Sequence, residues 1–410
     1  MENKIIAALD IGTTKICVII ARCKEDGALE IKGIGLQPSY GLSKGVIVNI
    51  DATVNSIKKA VEEAELMAGV EVKELFVGIA GGQVKGINSR GVIAIGGRSD
   101  QAEISRDDIA RVINTAQSVS IEPDKEIIHV IPQEFIVDNQ DGIMDPLGMC
   151  GVRLEVEAHM VTCLKSATAN IRKAVNRAGY ETADIILQPI ASAEAILNSD
   201  EKELGAIVID IGGGTTDVVM YIGNSIWFTH VIPLGGNNVT KDISFGLRAP
   251  TNSAEIIKKQ SGVADESIVD EEDYTSIPRV GGREPIKVSR KTLARIIEPR
   301  MAEIFSLARE VLQKTNYMER IHAGIILTGG ASLCEGTTEL AEKIFDQPVR
   351  IGSPVNVSGL KEKVDSPAYA TAIGLIRFGA NNAEEYRPSV SGSSENIFEK
   401  IKLFFREWFN

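Results

Sequence analysis

Residues 5–20 read I-I-A-A-L-D-I-G-T-T-K-I-C-V-I-I, and residues 206–222 read A-I-V-I-D-I-G-G-G-T-T-D-V-V-M-Y-I. Each is an apolar run ending in an aspartate, then a Gly/Thr turn and a second apolar run, the pattern of a buried β-hairpin. Recurrence of D-I-G-(G-G)-T-T about half a chain apart predicts a duplicated architecture of two related halves. A third stretch, Ala323 to Ser332 (A-G-I-I-L-T-G-G-A-S), reads as a buried strand whose Gly-Gly turn enters a helix near Thr337. Helical periodicity lies between these stretches. Val54–Ala68 has apolar or small residues at 54, 57, 61, 64 and 68; Ser166–Ala178 and Ile190–Leu197 follow the same logic, and Lys291–Lys314 is the longest. Strands alternating with helices predict α/β domains.

Residues 84–163 break that rhythm. They hold β-like runs at 92–95, 127–137 and 154–163 and one helix from Arg106 to Val119, which predicts an inserted α+β subdomain. Residues 264–285 are acidic and read as a solvated loop. After Gly379 the composition shifts to A-N-N-A-E-E-Y-R-P-S-V-S-G-S-S-E, a linker of about 15 residues that spans roughly 20 Å root-mean-square.

The chain has 410 residues, 44% hydrophobic and 24% charged, as expected of a globular protein with two or three cores. A formal charge of −12 argues against a general nucleic-acid binder, whose affinity would rest on basic surface. Five cysteines, with no C-x-x-C pair, suit reduced thiols in a cytosolic protein. The start, Met-Glu-Asn-Lys, runs into a strand pattern with no signal-peptide character. No segment approaches the roughly 20 apolar residues of a spanning helix.

Only twenty residues are aromatic, yet five of them fall in the last thirteen positions. Ile397, Phe398, Ile401, Phe404, Phe405, Trp408 and Phe409 trace one face of an α-helix, with Ser393 or Ser394 available as its cap. Thirteen residues make about 20 Å of helix, too short for a bilayer core of roughly 30 Å. The stripe therefore predicts an interfacial membrane helix; the other reading is a helix that docks on its own domain or on a partner. Residues 395–410 carry three basic and three acidic side chains, so affinity for lipid must come from apolar burial.

The Gly/Thr turns suit phosphate. Their glycines let backbone amides approach an anion, and the threonine hydroxyls donate to it. Asp10 and Asp210 at the strand ends can hold a hydrated Mg²⁺, and Lys15 adds a point charge for a β- or γ-phosphate. Either turn alone would read as nothing more than a tight hairpin. Two of them followed by a Gly-Gly strand–helix turn carry far more information.

Together, D-I-G-T-T-K, D-I-G-G-G-T-T-D and L-T-G-G-A-S resemble the phosphate-1, phosphate-2 and adenosine motifs of the actin, Hsp70 and sugar-kinase superfamily. Within it the chain resembles the FtsA family, the bacterial cell-division actin homologues, on three further grounds. These are the position of the insertion, the motif A-E-I-I-K (Ala254 to Lys258), and the amphipathic tail. The resemblance implies an actin-like, RNase H-like duplicated two-lobed ATP-binding fold. Residues 1–83 and 164–200 would form the first lobe, 84–163 the insert, and 201–379 the second lobe, with a small subdomain at about 240–300. Residues 380–394 would be the linker and 395–410 the membrane-targeting helix.

The same resemblance assigns roles. Asp10 and Asp210 would organise Mg²⁺ through its waters, while Gly12, Thr13, Thr14, Lys15, Gly212, Gly213, Gly214 and Thr215 cradle the phosphates of ATP. Glu255 and Lys258 would meet the ribose and base, with Gly329 and Gly330 under the nucleoside. L-Q-P-I-A-S-A (Leu187 to Ala193) is similar to the place where relatives position the attacking water. That makes Gln188 the candidate; its other reading is a helix-start residue before Pro189. A neutral amide orients water but is a poor base, so any ATPase would be slow.

The implied function is a cell-division protein that polymerises on the inner membrane face at the septum and tethers FtsZ. The FtsZ C-terminal peptide would dock on the small subdomain, where Arg290, Lys291, Arg295 and Arg300 form a basic cluster. Other division partners would meet the inserted subdomain. Two readings of the same fold compete: a pilus-assembly ATP-binding protein, and a small-molecule kinase. The kinase reading needs a catalytic aspartate base that no motif supplies. The pilus reading leaves the linker and tail without a purpose.

Overall fold

The computed structural model describes residues 4–24, 27–96, 102–270, 272–278 and 284–382. The linker from 383 and the whole amphipathic stripe, Ile397 to Phe409, lie outside the described residues. Both quoted stretches form hairpins. Ile5–Ile11 pairs with Lys15–Cys23, and Ala206–Ile211 with Thr216–Ile222. Around each hairpin the sheet grows in the same way. Leu29–Pro38 and Ser225–Ile232 add antiparallel strands on one side. Glu74–Ile79 then Glu181–Leu187, and Ile325–Thr328 then Val349–Ile351, add parallel strands on the other. Five strands thus share order and direction in the two lobes, which is the duplication that the repeat predicted. The first strand of each hairpin is buried on both faces, which is why it reads as an unbroken apolar run.

The predicted helices are present with shifted ends. The first begins at Ile50, not Val54, because Asn49 accepts from the Ala52 amide as its N-cap. It ends at Gly69, whose left-handed φ of 68° suits glycine.

Three expectations are corrected. First, the chain after about residue 352 does not stay in the second lobe, where residues up to 379 were placed. Val357–Gly359 joins the first-lobe sheet beside Leu29–Pro38, and helix Ala370–Asn382 buries Ile373, Leu375 and Ile376 in the first-lobe core. That destination is a long-range packing choice with no local signature. Second, the same helix continues to Asn382, three residues into the expected linker. Third, the acidic stretch 264–285 contributes one strand of a hairpin, Tyr274–Ile277, which pairs with Ile286–Ser289 just beyond it, and buried Asp265 pairs with Lys343 at 2.5 Å.

Helix Ala370–Asn382 packs on helix Gln188–Ile196, which in turn packs on the second-lobe hairpin, so this pair is a layer between the two sheets. The helices touch through backbone. A Cβ on Gly374 would lie 1.6 Å from the Ala191 carbonyl oxygen, so only hydrogen fits there.

The insert is a four-stranded sheet, in the order Val84–Ala94, Arg153–Leu164, Lys125–Val137 and Gln140–Ile143. It is covered by helix Arg106–Gln117, which starts with a Ser105–Asp108 capping box. Its first strand is longer than the predicted 92–95; residues 84–91 have only Val84 and Ile87 as large apolar side chains. Ser89 and Gly91 face the insert's own helix, while Gly86 and Asn88 face the second lobe. Asn88 Nδ2 donates to the Trp227 carbonyl at 3.3 Å, Gln133 Nε2 to the Ile226 carbonyl at 3.1 Å, and Ser225 Oγ to the Pro132 carbonyl at 2.6 Å. Buried His159 completes the seam, with its ring nitrogens 2.6 Å from Asn88 Oδ1 and 2.8 Å from Thr229 Oγ1. The insert grows from one lobe and is fastened to the other.

Candidate functional site

The two Gly/Thr turns face each other. Each is closed in the same way, Gly12 N donating to the Lys15 carbonyl and Gly212 N to the Thr215 carbonyl, both at 3.0 Å. Thr14 Oγ1 donates to Asn237 Oδ1 at 3.4 Å across the gap. The glycines of the second turn make this approach possible, since a Cβ on Gly213 would lie 1.9 Å from Thr14 Oγ1 and one on Gly214 2.5 Å from Thr13 Oγ1. Thr13 Oγ1 in turn accepts from the Gly45 amide at 3.1 Å. The Gly236 and Asn237 amides, at the start of helix Gly236–Leu247, donate to the carbonyls of Gly212 and Gly213 at 2.9 and 2.8 Å. Both predicted cradles therefore border one cleft, with a helix N-terminus behind the second.

Three buried carboxylates stand at its floor. Asp10 Oδ1 accepts from Gln188 Nε2 at 3.0 Å. Asp210 Oδ2 accepts from Ser192 Oγ at 2.6 Å and from Thr371 Oγ1 at 3.2 Å. Asp217 pairs directly with Asp210 across the hairpin, so both side chains share one face. Its Oδ2 accepts from Thr215 Oγ1 at 3.3 Å, while its buried Oδ1 has no partner. Burial pushes the Asp10 carboxyl up to about 6, with the Asp210 charge adding to the rise and Lys15 opposing it. Burial also raises Asp210, against its two hydroxyl donors, and raises Asp217 well above the usual range, helped by Asp210.

Residues of this kind fit a divalent cation. An orphaned buried carboxylate oxygen, and neighbouring carboxyls whose pKa values burial raises, are what such an ion relieves. Among the described residues no three His, Cys, Asp or Glu side chains are spaced to ligate a metal directly. A hard cation here would keep its waters.

Lys15 Nζ donates to the Ala368 carbonyl at 2.7 Å. Gln188 is the first residue of helix Gln188–Ile196, with Pro189 next, which is its helix-start reading, and its amide also donates to Asp10. Lys258 pairs with Glu255 at 2.7 Å and donates to the Gly236 carbonyl at 3.0 Å and Thr240 Oγ1 at 2.9 Å. Burial pushes Glu255 upward, but Lys258 and the Thr240 hydroxyl outweigh it and hold the carboxyl below its ordinary value. Gly329 has φ of 84°, and a Cβ there would lie 2.3 Å from Asp210 Oδ1; Gly330 is open, with nothing nearer than Ala368 Cβ at 3.9 Å.

The basic cluster on helix Arg290–Gln313 is already committed. Arg290 pairs with Asp273 at 2.8 Å and with Glu335, Arg295 with Glu266 at 2.8 Å, and Arg300 with Asp242 at 2.7 Å and with Glu303. Sequence reasoning missed Asp217, Ser192, Thr371 and Asn237. Only Asp217 left a signal, because it mirrors Asp210 about the turn within the same motif.

Residues 207–374 match the family model for cell division protein FtsA, and residues 81–162 match the SHS2 domain inserted in FtsA. The chain is 46% identical to the cell division protein FtsA of Pseudomonas aeruginosa over 394 residues, covering 96% of this chain and 94% of that one. Among solved structures it resembles the PilM–PilN type IV pilus biogenesis complex, with TM-score 0.66, 16% identity, and 91% and 98% of the chains covered. It also resembles MreB5 of Spiroplasma citri bound to ADP, with TM-score 0.56, 16% identity, and 94% and 100% covered. The structural likenesses establish the actin-like fold. The sequence match, far closer than that to the pilus protein, selects cell division among its uses.

Proposed function

Because the chain belongs to the FtsA family of cell division proteins, we propose that it is an ATP-dependent adaptor that polymerises on the inner membrane face and tethers FtsZ at the septum. The observation that carries this reading is the meeting of both Gly/Thr turns over three buried carboxylates. The ADP-bound state of the similarly folded MreB5 supports a nucleotide there.

In this reading Gly12 to Lys15 and Gly212 to Thr215 hold the phosphates. Asp10 and Asp210, with Asp217 beside them, hold the waters of Mg²⁺, which supplies charge neutralisation to the phosphates. Glu255 and Lys258 meet the ribose and base, and Gly330 leaves room for the nucleoside. Gln188 orients water without removing its proton, so hydrolysis is slow and serves assembly. Residues 397–409 lay their apolar face into the headgroup region, and polymerisation multiplies a weak single-helix affinity. No helix among the described residues is long and apolar enough to cross a membrane. An acidic FtsZ peptide docking on helix Arg290–Gln313 would exchange with Asp273, Glu335, Glu266, Asp242 and Glu303 for the arginines. Contacts with other division proteins would involve the inserted subdomain.

Liposome co-sedimentation tests this, using full-length protein and a truncation after Asn382, with and without Mg²⁺-ATP, in the presence of FtsZ. ATP- and tail-dependent recovery of FtsZ in the pellet is expected. Sedimentation that depends on neither, with no FtsZ recovered, overturns the proposal. Trp408→Glu should release the protein from lipid while ATP binding survives.

A further inference from the structure

Lys15 closes the first turn, and its ammonium is received by groups from the far end of the chain. Nζ donates to the Ala368 carbonyl at 2.7 Å and lies 4.2 Å from the centroid of the Tyr369 ring. Both groups belong to the short 3₁₀ turn Pro367–Tyr369. That turn is pinned from three sides. The Pro367 carbonyl accepts from the Gly329 amide and from Thr328 Oγ1, both at 3.3 Å. Ser366 Oγ accepts from the Ala368 amide at 3.4 Å, and Thr371 just beyond donates to Asp210. One turn thus touches the first hairpin through Lys15, the second through Asp210, and the strand–turn–helix through Thr328 and Gly329.

A lysine ammonium sits on a flexible four-carbon stem and carries three donors. The Ala368 carbonyl takes one of them. The ring face attracts the charge without consuming any. Two N–H groups are left for an anion, on a side chain whose reach has already been fixed and whose charge acts on Asp10 and Asp210. We propose that Tyr369 is a positioning residue for the nucleotide phosphates, its ring and the adjoining Ala368 carbonyl holding the Lys15 ammonium where phosphate oxygens arrive. The inference rests on the nucleotide reading given above, and adds to it a residue that no phosphate motif contains.

The test is binding to the full-length protein with Mg²⁺, using ATP and, as the phosphate-free probe, adenosine. Tyr369→Leu weakens ATP roughly three- to tenfold, the range expected for a cation–π contact, and leaves adenosine unchanged. Tyr369→Phe keeps the ring and recovers ATP affinity to within about twofold of wild type. On a Lys15→Ala background Tyr369→Leu has no further effect on ATP. Equal losses for ATP and adenosine, or the same loss with and without Lys15, overturn the proposal. Should the leucine variant fail to fold, a series of ring-fluorinated phenylalanines at 369 keeps the shape while weakening the ring's attraction. ATP affinity must then fall as fluorines are added, and a flat series overturns the assignment. Failure of the nucleotide reading looks different, because wild-type protein would then bind neither probe.

Discussion

Gln188 Nε2 donates to Asp10 Oδ1 at 3.0 Å, joining the start of an interlobe helix to the carboxylate that ends the first strand. The amide donates to Asp10 without bringing a charge of its own, and that gives a first prediction. Gln188→Glu removes the donor and sets another carboxylate against Asp10, costing roughly 2–4 kcal/mol in cation-free protein. Thermal unfolding should show the loss, and Mg²⁺-nucleotide should recover most of it. An unchanged melting temperature without Mg²⁺ would contradict the geometry.

Asp10 makes the stability of cation-free protein depend on pH. Its carboxyl is pushed from an ordinary 3.8 up to about 6 in the fold, so the folded state holds the proton more tightly than the unfolded chain does. Its stabilising contribution is complete below about pH 4 and is lost as pH rises through about 6, amounting to about 3 kcal/mol. Urea unfolding of wild type and Asp10→Asn across pH 4 to 7 isolates the effect. The difference between the two should change over that window and level off above it.

His159 acts in the opposite sense. Burial, with a smaller push from His129, lowers its ring from 6.5 to about 3. The neutral ring's contribution is present above about pH 6.5 and disappears as pH falls toward 3. His159→Gln should weaken the seam with Thr229 at neutral pH by about 1–3 kcal/mol and blunt the acid sensitivity that remains. Hydrogen exchange of the Ser225–Ile232 amides reads both; protection unchanged by the substitution would mean that the seam does not rest on His159.

Adjacent glycines should behave differently. Gly329→Ala meets Asp210 Oδ1 at 2.3 Å on a backbone with φ of 84°, so fold and nucleotide binding should fail together. Gly330→Ala meets only Ala368 Cβ at 3.9 Å, so melting should be nearly unchanged while adenine-nucleotide affinity falls. Calorimetry beside nucleotide titration separates the two outcomes. Matching behaviour of the two variants would refute the distinction.

The hairpins, their duplication and the insert were legible in the sequence because local rules write them. An apolar run buried on both faces, a Gly/Thr turn and a capped amphipathic helix each carry their own pattern. So did Asp10, Asp210, Thr14 and Gly329, which sit inside those turns. The return of residues 357–382 to the first lobe was not legible, since Ile373, Leu375 and Ile376 would be equally apolar against either sheet. Ser192, Thr371 and Tyr369 were hidden for the same reason. Each is an ordinary residue in its own segment and gains a role only from what folding places opposite it. The acidic partners of the basic helix were hidden too, because a row of arginines cannot reveal that Asp273, Glu335, Glu266 and Asp242 pair with it.

The backbone contact between Gly374 and Ala191 locks together the two helices that lie between the sheets. With a glycine Cα seated against a carbonyl, the helices can roll on each other but resist sliding lengthwise or drawing apart. A nucleotide-driven closure, under the function proposed above, would resemble a pair of shears turning on its rivet. A tilt of a few degrees that barely alters the jaws is magnified along the handles, so the outer edges of the molecule swing by ångströms. If the protein polymerises as proposed above, neighbouring subunits would meet at such edges, and an event at the rivet would bear on whether the next subunit fits.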